Sequence, residues 1–395
     1  MPGAWRFGLL SINWRLGARK RSLLGNAWID GAEAPQDAAI AAAAALIAGS
    51  RMPLFTGLST DVAGIKAALR LAKLTGGVVD HGASDALYRN IEVLRGSGMF
   101  LAVPAEMRRR ADRFLVVGGD AATLAPELLA YLFGGARDLG RDAGDGGDRR
   151  IVWLGGSATS TLPASGIPVE PIPCDSADLA DAAAMIRASV SGRRFGEGPV
   201  LGEKADEIAA WLKGASFACV IWSAEGLDAL GVEMLAGLVA DFNFTTRASS
   251  IPLAGPGQAW GAAQVATAVT GYPLRVSFAG GEAEHDAWAY STERLVASGE
   301  VDLVVEISSL AGFSLAEPRG DVPLIVLGTQ DAASALRPEI GFAVAEIGAG
   351  SIVYRDEVAS FVPADSDVVG DDLPTAADIL DAIAAALGAP ARKAA

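Results

Sequence analysis

Short, continuously apolar runs recur along this chain with helix-patterned stretches between most of them, and this alternation restricts the fold more than any other feature. The runs are "MPLFTGL" (52–58), "GVVD" (77–80), "RFLVVGG" (113–119), "RIVWLGG" (150–156), "FACVIWS" (217–223), "VDLVVEI" (301–307), "PLIVLGT" (323–329), "GFAVAEI" (341–347) and "SIVYR" (351–355). A strand covered on both faces carries apolar side chains on both, as in parallel sheets sandwiched between helices. Within "STDVAGIKAALRLAKLTGG" (59–77), Val62, Ile65, Leu69 and Ala72 fall on one helical face. Ser59, Thr60 or Asp61 is placed to cap its start, and Gly76 to turn its end. Thr375 and Asp378 stand at capping-box spacing before a last helix, which Gly388 and Pro390 stop. The expected class is α/β.

A chain of 395 residues is long for one core, so two globular units are expected. A hydropathic echo of 111–157 in 301–330, each strand–crossover–strand, points to two Rossmann-like lobes and to a contiguous split near 195. With 51% hydrophobic and 20% charged residues the composition is that of a soluble globular protein. The net charge of -15 argues against nucleic acid and anionic membranes as partners. Two cysteines, Cys174 and Cys219, and two histidines, His81 and His285, are too few for an iron–sulfur site and make a His/Cys zinc site improbable. A magnesium site on carboxylates stays open, and both thiols read as reduced core residues.

"AAIAAAAALIAG" (38–49) is too short to span a bilayer, and Pro35 and Gln36 before it mark a helix start. The first 29 residues hold five basic side chains and no acid, but they lack the apolar segment of a signal peptide. They read as a solvated or partner-docking arm, and the expected compartment is the cytoplasm. The glycine-rich, acidic "RDAGDGGDRR" (141–150) reads as a solvated loop.

Familiar chemical signatures are missing from the sequence: the phosphate loop, G-x-G-x-x-G after a strand, the G-x-S-x-G elbow, C-x-x-C and H-E-x-x-H. "GPGQAWG" (255–261) has glycines at the wrong spacing for a dinucleotide loop. In "GGVVDHGASDALYRN" (76–90) a strand runs into a polar loop and a helix, a junction where α/β proteins place chemistry. His81 sits there, where a general base could sit, and His285 lies in a polar stretch before a helix; each reads as a structural or surface histidine, with a catalytic role as the alternative. Arg108 to Arg110 fall at a helix C-terminus, where the dipole accounts for them, with anion binding as the alternative. Arg193 and Arg194 carry the same two readings.

The order of segments resembles the B subunit of formylmethanofuran dehydrogenase, a molybdopterin or tungstopterin oxidoreductase, from about Ala27 to Asp365. The marks are "PLFTGLSTDVAGIKAALRLAKLTGGVVD", "ADRFLVVGGDAATLAPE", "FACVIWSAEGLDALGVEMLAGLVADFN" and "IPLAGPGQAWGAAQVATAVTGYPLRVSF" (251–278), the last the most specific. Four departures accompany them. The family's N-terminal cysteine cluster is replaced by the basic arm. The metal-ligating cysteine or selenocysteine falls near Ala86, ahead of Leu87-Tyr88-Arg89-Asn90. Where the family has Asp-Pro-Arg for the pterin nucleotide, this chain has Leu154-Gly155-Gly156. Ala254 stands where the family tends to have arginine.

Loss of all four parts implies a subunit with no catalytic, metal or cofactor-binding residues, like the degenerate B subunit of the bacterial formyltransferase/hydrolase complex. That resemblance implies lobes like domains II and III of molybdopterin oxidoreductases, without the iron–sulfur domain. One lobe is 27–84 plus 253–365 and the other 85–252, with an arm over 1–26 and a C-terminal helix and tail over 366–395. It also implies A, C and D subunits as partners. The shared task is conversion of formyl-tetrahydromethanopterin to formate through a methanofuran-like carrier in methylotrophic formaldehyde oxidation. Arg89, Arg108 and Arg247 are the contacts an anionic carrier tail would use. One alternative is an active molybdenum or tungsten dehydrogenase subunit with Ser84 or Asp85 as substitute ligand. Another is an independent enzyme with His81 as base.

Overall fold

Two-faced burial makes the central strands. In Pro53–Ser59 and Ala218–Ser223 every side chain is buried, and Trp153, Trp222, Phe55 and Phe114 are among the largest fully enclosed groups. The computed structural model describes residues 26–140, 149–157, 161–163, 166–200, 202–310, 321–329, 338–348, 350–364 and 373–388. The basic arm and the acidic loop fall outside the described residues, apart from Asn26, Arg149 and Arg150. The tail beyond Gly388 also falls outside them.

The strands are β1 (Ala27–Ile29), β2 (Ala32–Ala34), β3 (Pro53–Ser59), β4 (Val78–Val79), β5 (Arg113–Val117), β6 (Arg150–Leu154), β7 (Val169–Ile172) and β8 (Ala218–Ser223). They continue with β9 (Ala248–Leu253), β10 (Val276–Ser277), β11 (Glu284–His285), β12 (Leu303–Ser308), β13 (Leu324–Gly328), β14 (Ile340–Ala343), β15 (Ile352–Arg355) and β16 (Ser360–Pro363). The helices are α1 (Gln36–Gly49), α2 (Val62–Thr75), α3 (Ser84–Gly96), α4 (Pro104–Arg110), α5 (Ala121–Leu124) and α6 (Pro126–Phe133). After these come α7 (Leu179–Val190), α8 (Gly202–Lys213), α9 (Ala229–Phe242), α10 (Ala259–Thr270), α11 (Thr292–Ser298) and a C-terminal helix, Ala376–Gly388.

The first sheet has nine strands in the order β11-β10-β4-β3-β12-β13-β14-β1-β2. Its middle five, β4 to β14, are parallel, and β10–β11 and β1–β2 extend it with antiparallel edges. The second sheet, β7-β6-β5-β8-β9, is wholly parallel and reverses strand order between β5 and β8. Because β5 and β8 pair within one sheet, a cut near residue 195 would run through that sheet, and the contiguous split does not occur.

Two expectations need correction. β15, which reads as a buried parallel strand, forms an antiparallel hairpin with β16, and Val353 is its one buried side chain. The C-terminal helix, which the sequence sets apart from the lobes, packs on α1 and α2, with Ala376, Ile379, Leu380 and Ile383 in the first core. The caps fall where the sequence places them. Asp61 Oδ1 accepts from the Gly64 amide (2.8 Å), Gly76 turns at φ +70°, and Asp378 Oδ2 accepts from the Thr375 amide (2.9 Å). No helix among the described residues is long and apolar enough to cross a membrane.

Candidate functional site

The 80–90 junction lies between the two sheets, and nearly every polar group on it is already engaged. His81 is 1% exposed; its Nε2 donates to the Gly257 carbonyl (2.7 Å) and its Nδ1 accepts from the Ala83 amide (2.9 Å). These partners fix a neutral tautomer, and burial lowers its pKa to about 4. With both nitrogens occupied, His81 is a clasp between this loop and the 255–258 turn, not the general base of the independent-enzyme reading.

Arg275, absent from the sequence-based set, is the centre of the site. Only 6% exposed, it enters under the loop and donates to Ser84 Oγ (3.0 Å), to Asp85 and to the Ala287 carbonyl. Its Nε lies 3.7 Å from Asp80, which also accepts from the Thr292 amide (2.9 Å) and hydroxyl (3.0 Å). Burial pushes the Asp80 carboxyl up, and Arg275 pulls against that shift. Tyr88 stacks under the guanidinium (4.4 Å) and donates to the carbonyls of Pro273 (2.8 Å) and Leu274 (2.9 Å). Leu274 and Arg275 both sit at positive φ (76° and 48°), so the backbone bends into an unfavourable region to deliver this cation. The readable signal is a lone arginine inside the apolar "GYPLRVSF". His285 stacks between Tyr88 and Tyr272 (5.9 and 5.4 Å) and bonds the Leu274 carbonyl, a structural place as expected, though on β11.

The rest of α3 rivets the lobes together. Ala86 is 1% exposed and packs in the second sheet's core, whereas Leu87 packs in the first. Arg89 donates to the carbonyls of Ala224 (2.7 Å) and Glu225 (3.2 Å). Asn90 accepts from Trp222 Nε1 (2.9 Å) and donates to the Leu253 carbonyl (3.0 Å).

At the end of β6, Leu154 is fully buried and its carbonyl accepts from the Gly118 amide (3.0 Å). A side chain on Gly155 (φ +87°) would meet Gly119 N at 3.2 Å, and one on Gly156 would meet the Trp153 ring at 2.5 Å. Asp120 accepts from the Ser223 hydroxyl (2.7 Å), closing the crevice where the strand order reverses. Ala254 is buried with the first core.

The three arginines assigned to an anionic tail do not converge. Arg89 bonds at the C-terminal end of β8, while the Arg247 carbonyl accepts from Ala218 at its start (2.8 Å). Six residues of strand put about 20 Å between these points. Arg108 stacks on Tyr131 (4.6 Å) in the last turn of α4, which precedes β5. Arg193 and Arg194 are exposed.

These residues do not fit a metal–pterin centre. Ala86, where the resemblance places the thiol, is a core alanine; Ser84 and Asp85, the expected substitute ligands, are bound to Arg275; and the 154–156 turn, where it places the nucleotide motif, is closed on itself. Cys219 is buried in β8, and Cys174 is half-buried rather than a core thiol. Burial, with Asp178 and Asp175, pushes Cys174 up to about 11. Among the described residues no three His, Cys, Asp or Glu side chains are grouped to hold a metal.

No protein-family model matches the chain. The B subunit of the formyltransferase/hydrolase complex of Methylorubrum extorquens is 34% identical over 285 residues, covering 72% of this chain and 75% of that one. B subunits of tungsten-containing formylmethanofuran dehydrogenase 2 are more distant. That of Methanocaldococcus jannaschii is 27% identical over 70% of this chain and 64% of its own length, and that of Methanococcus maripaludis 25% over 68% and 63%. The chain thus spans just under two thirds of the dehydrogenase subunits. In the crystal structure of the M. extorquens formyltransferase/hydrolase complex with methylofuran, one chain superposes with a TM-score of 0.76 at 30% identity, over 91% of this chain and 98% of that one. The chain belongs to the B-subunit family of the formyltransferase/hydrolase complex.

Proposed function

We propose that this chain is the B subunit of a cytoplasmic formyltransferase/hydrolase complex, assembled with A, C and D subunits, and that it acts there as a non-catalytic scaffold. The complex converts formyl-tetrahydromethanopterin to formate through a methanofuran-like carrier, and this chain contributes shape rather than chemistry. Its two sheets are the counterparts of domains II and III of molybdopterin oxidoreductases, divided as 27–84 plus 253–365 and 85–252. The observation that carries the scaffold reading is Arg275: a buried guanidinium occupies the space beneath the loop and consumes the groups a metal would need.

The test is to tag this chain in its source cells and purify it under native conditions. Three further subunits in comparable amounts, formyl transfer and hydrolysis, and no carrier-dependent dye reduction are expected. A lone protein with its own turnover, or formyl-carrier-dependent dye reduction, would contradict the proposal.

A further inference from the structure

The stretch Gly255–Gly261, "GPGQAWG", has the wrong spacing for a nucleotide loop, and in the fold it builds one wall of a cavity between the lobes. Gly255 turns at φ +87° where a side chain would press on Glu225 (3.0 Å) and Ala83 (3.1 Å). Gln258, also at positive φ (68°), accepts from the Tyr354 amide (3.0 Å), and a side chain on Gly261 would meet Tyr354 Cβ at 2.7 Å. The β15–β16 hairpin is therefore seated against α10 by a missing side chain and by hydrogen bonds between Tyr354 and the side chains of Gln258 and Gln264. Beneath it lies a space of about 260 Å³. Leu101, Leu124, Leu128 and Ile251 line it from the second lobe, and Trp260 and Tyr354 from the first.

A cavity of about 150 Å³ lined by apolar side chains already holds benzene, so this one has room for a phenyl ring with a short arm. The one charged side chain in its lining is Asp356, on the hairpin, beside the uncharged polar groups of Ser250 and Gln264. Burial, with the like charges of Glu357 and Glu127, pushes the Asp356 carboxyl up to about 6, so it is still ionised at pH 7, where an arriving cation would relieve the repulsion; Glu357 itself is paired with Arg355 (3.5 Å). A largely apolar cavity with a single carboxylate in its lining selects a ligand with an apolar body and a cationic head. We propose that this inter-lobe cavity binds a small arylalkyl amine, its ring between Trp260 and Leu128 and its ammonium on Asp356. A subunit without chemistry of its own can still carry such a ligand site.

The probes are 2-phenylethylamine, 2-phenylethanol and 3-phenylpropionate, which share a ring and differ in the charge of the arm. Each is titrated calorimetrically into the purified complex. The amine is expected to bind roughly five-fold more tightly than the alcohol, as a partly exposed ion pair allows, and the acid more weakly than either. Asp356→Asn, on the hairpin surface, should remove the amine's advantage while leaving the alcohol unchanged. Ala102→Phe, filling the cavity from a half-buried position, should abolish all binding. Failure of the amine to bind the wild-type complex would overturn the proposal. So would equal binding of the acid, or binding that neither substitution alters.

Discussion

The 80–85 loop of the first lobe and the 154–156 turn of the second both lie where a parallel strand ends, and both are sealed, by opposite means. The first is filled with charge: Arg275 satisfies Ser84, Asp85 and, at longer range, Asp80. The second is filled with backbone: Gly155 and Gly156 let the turn settle on Gly119 and Trp153 with no side chain between. A charge seal tolerates changes of shape but not the loss of a partner. A backbone seal tolerates changes of charge but not an added atom.

The largest expected effect breaks the charge seal. Arg275→Met leaves Asp80 buried without its cation and should cost about 3–5 kcal/mol. The urea midpoint of the purified protein reads this, and adding Asp80→Asn should recover part of the loss. Next, Gly156→Ala forces a methyl against Trp153, whose Nε1 is fixed on the Gly118 carbonyl (2.8 Å), and should cost about 2–3 kcal/mol. Gly156→Ala with Trp153→Leu should be less damaging than the two single changes together.

The two seals also separate by pH. His81 stays neutral in the fold down to about 4, whereas the unfolded chain takes up a proton near 6.5. Its contribution is thus full above pH 6.5 and falls as the pH drops, by about 2 kcal/mol at pH 5. Urea titrations at pH 7 and pH 5 should show that loss in the wild type but not in His81→Gln, and Gly156→Ala should keep the wild-type slope. The smallest effect is expected from Ala86→Cys. The new thiol enters an apolar core, shifts stability by about 1 kcal/mol and binds no metal, as elemental analysis would show.

The central strands are legible in the sequence because burial on both faces leaves an unbroken apolar run, as in "FACVIWS". The edges are not. β10 and β11 contribute two residues each, and β9 reads "ASSIPL", whose Ser250 is held by backbone bonds to Phe100 and Ala102. Ala86 and the 154–156 turn are legible as departures from a family pattern. Arg275 is not, because a lone charge in an apolar run does not disclose a partner such as Asp85, 190 residues away. Likewise, Arg89, Arg108 and Arg247 are alike in kind and suggest one site, and only the strand between Arg89 and Arg247 shows that they stand apart.

If a scaffold has replaced a redox centre, the tungsten, molybdenum and pterin content of the native complex, per copy of this chain, shows it. None of the three is expected, with the A, C and D partners present in comparable amounts. Stoichiometric metal and pterin on this chain would contradict it and would return the protein to the dehydrogenases.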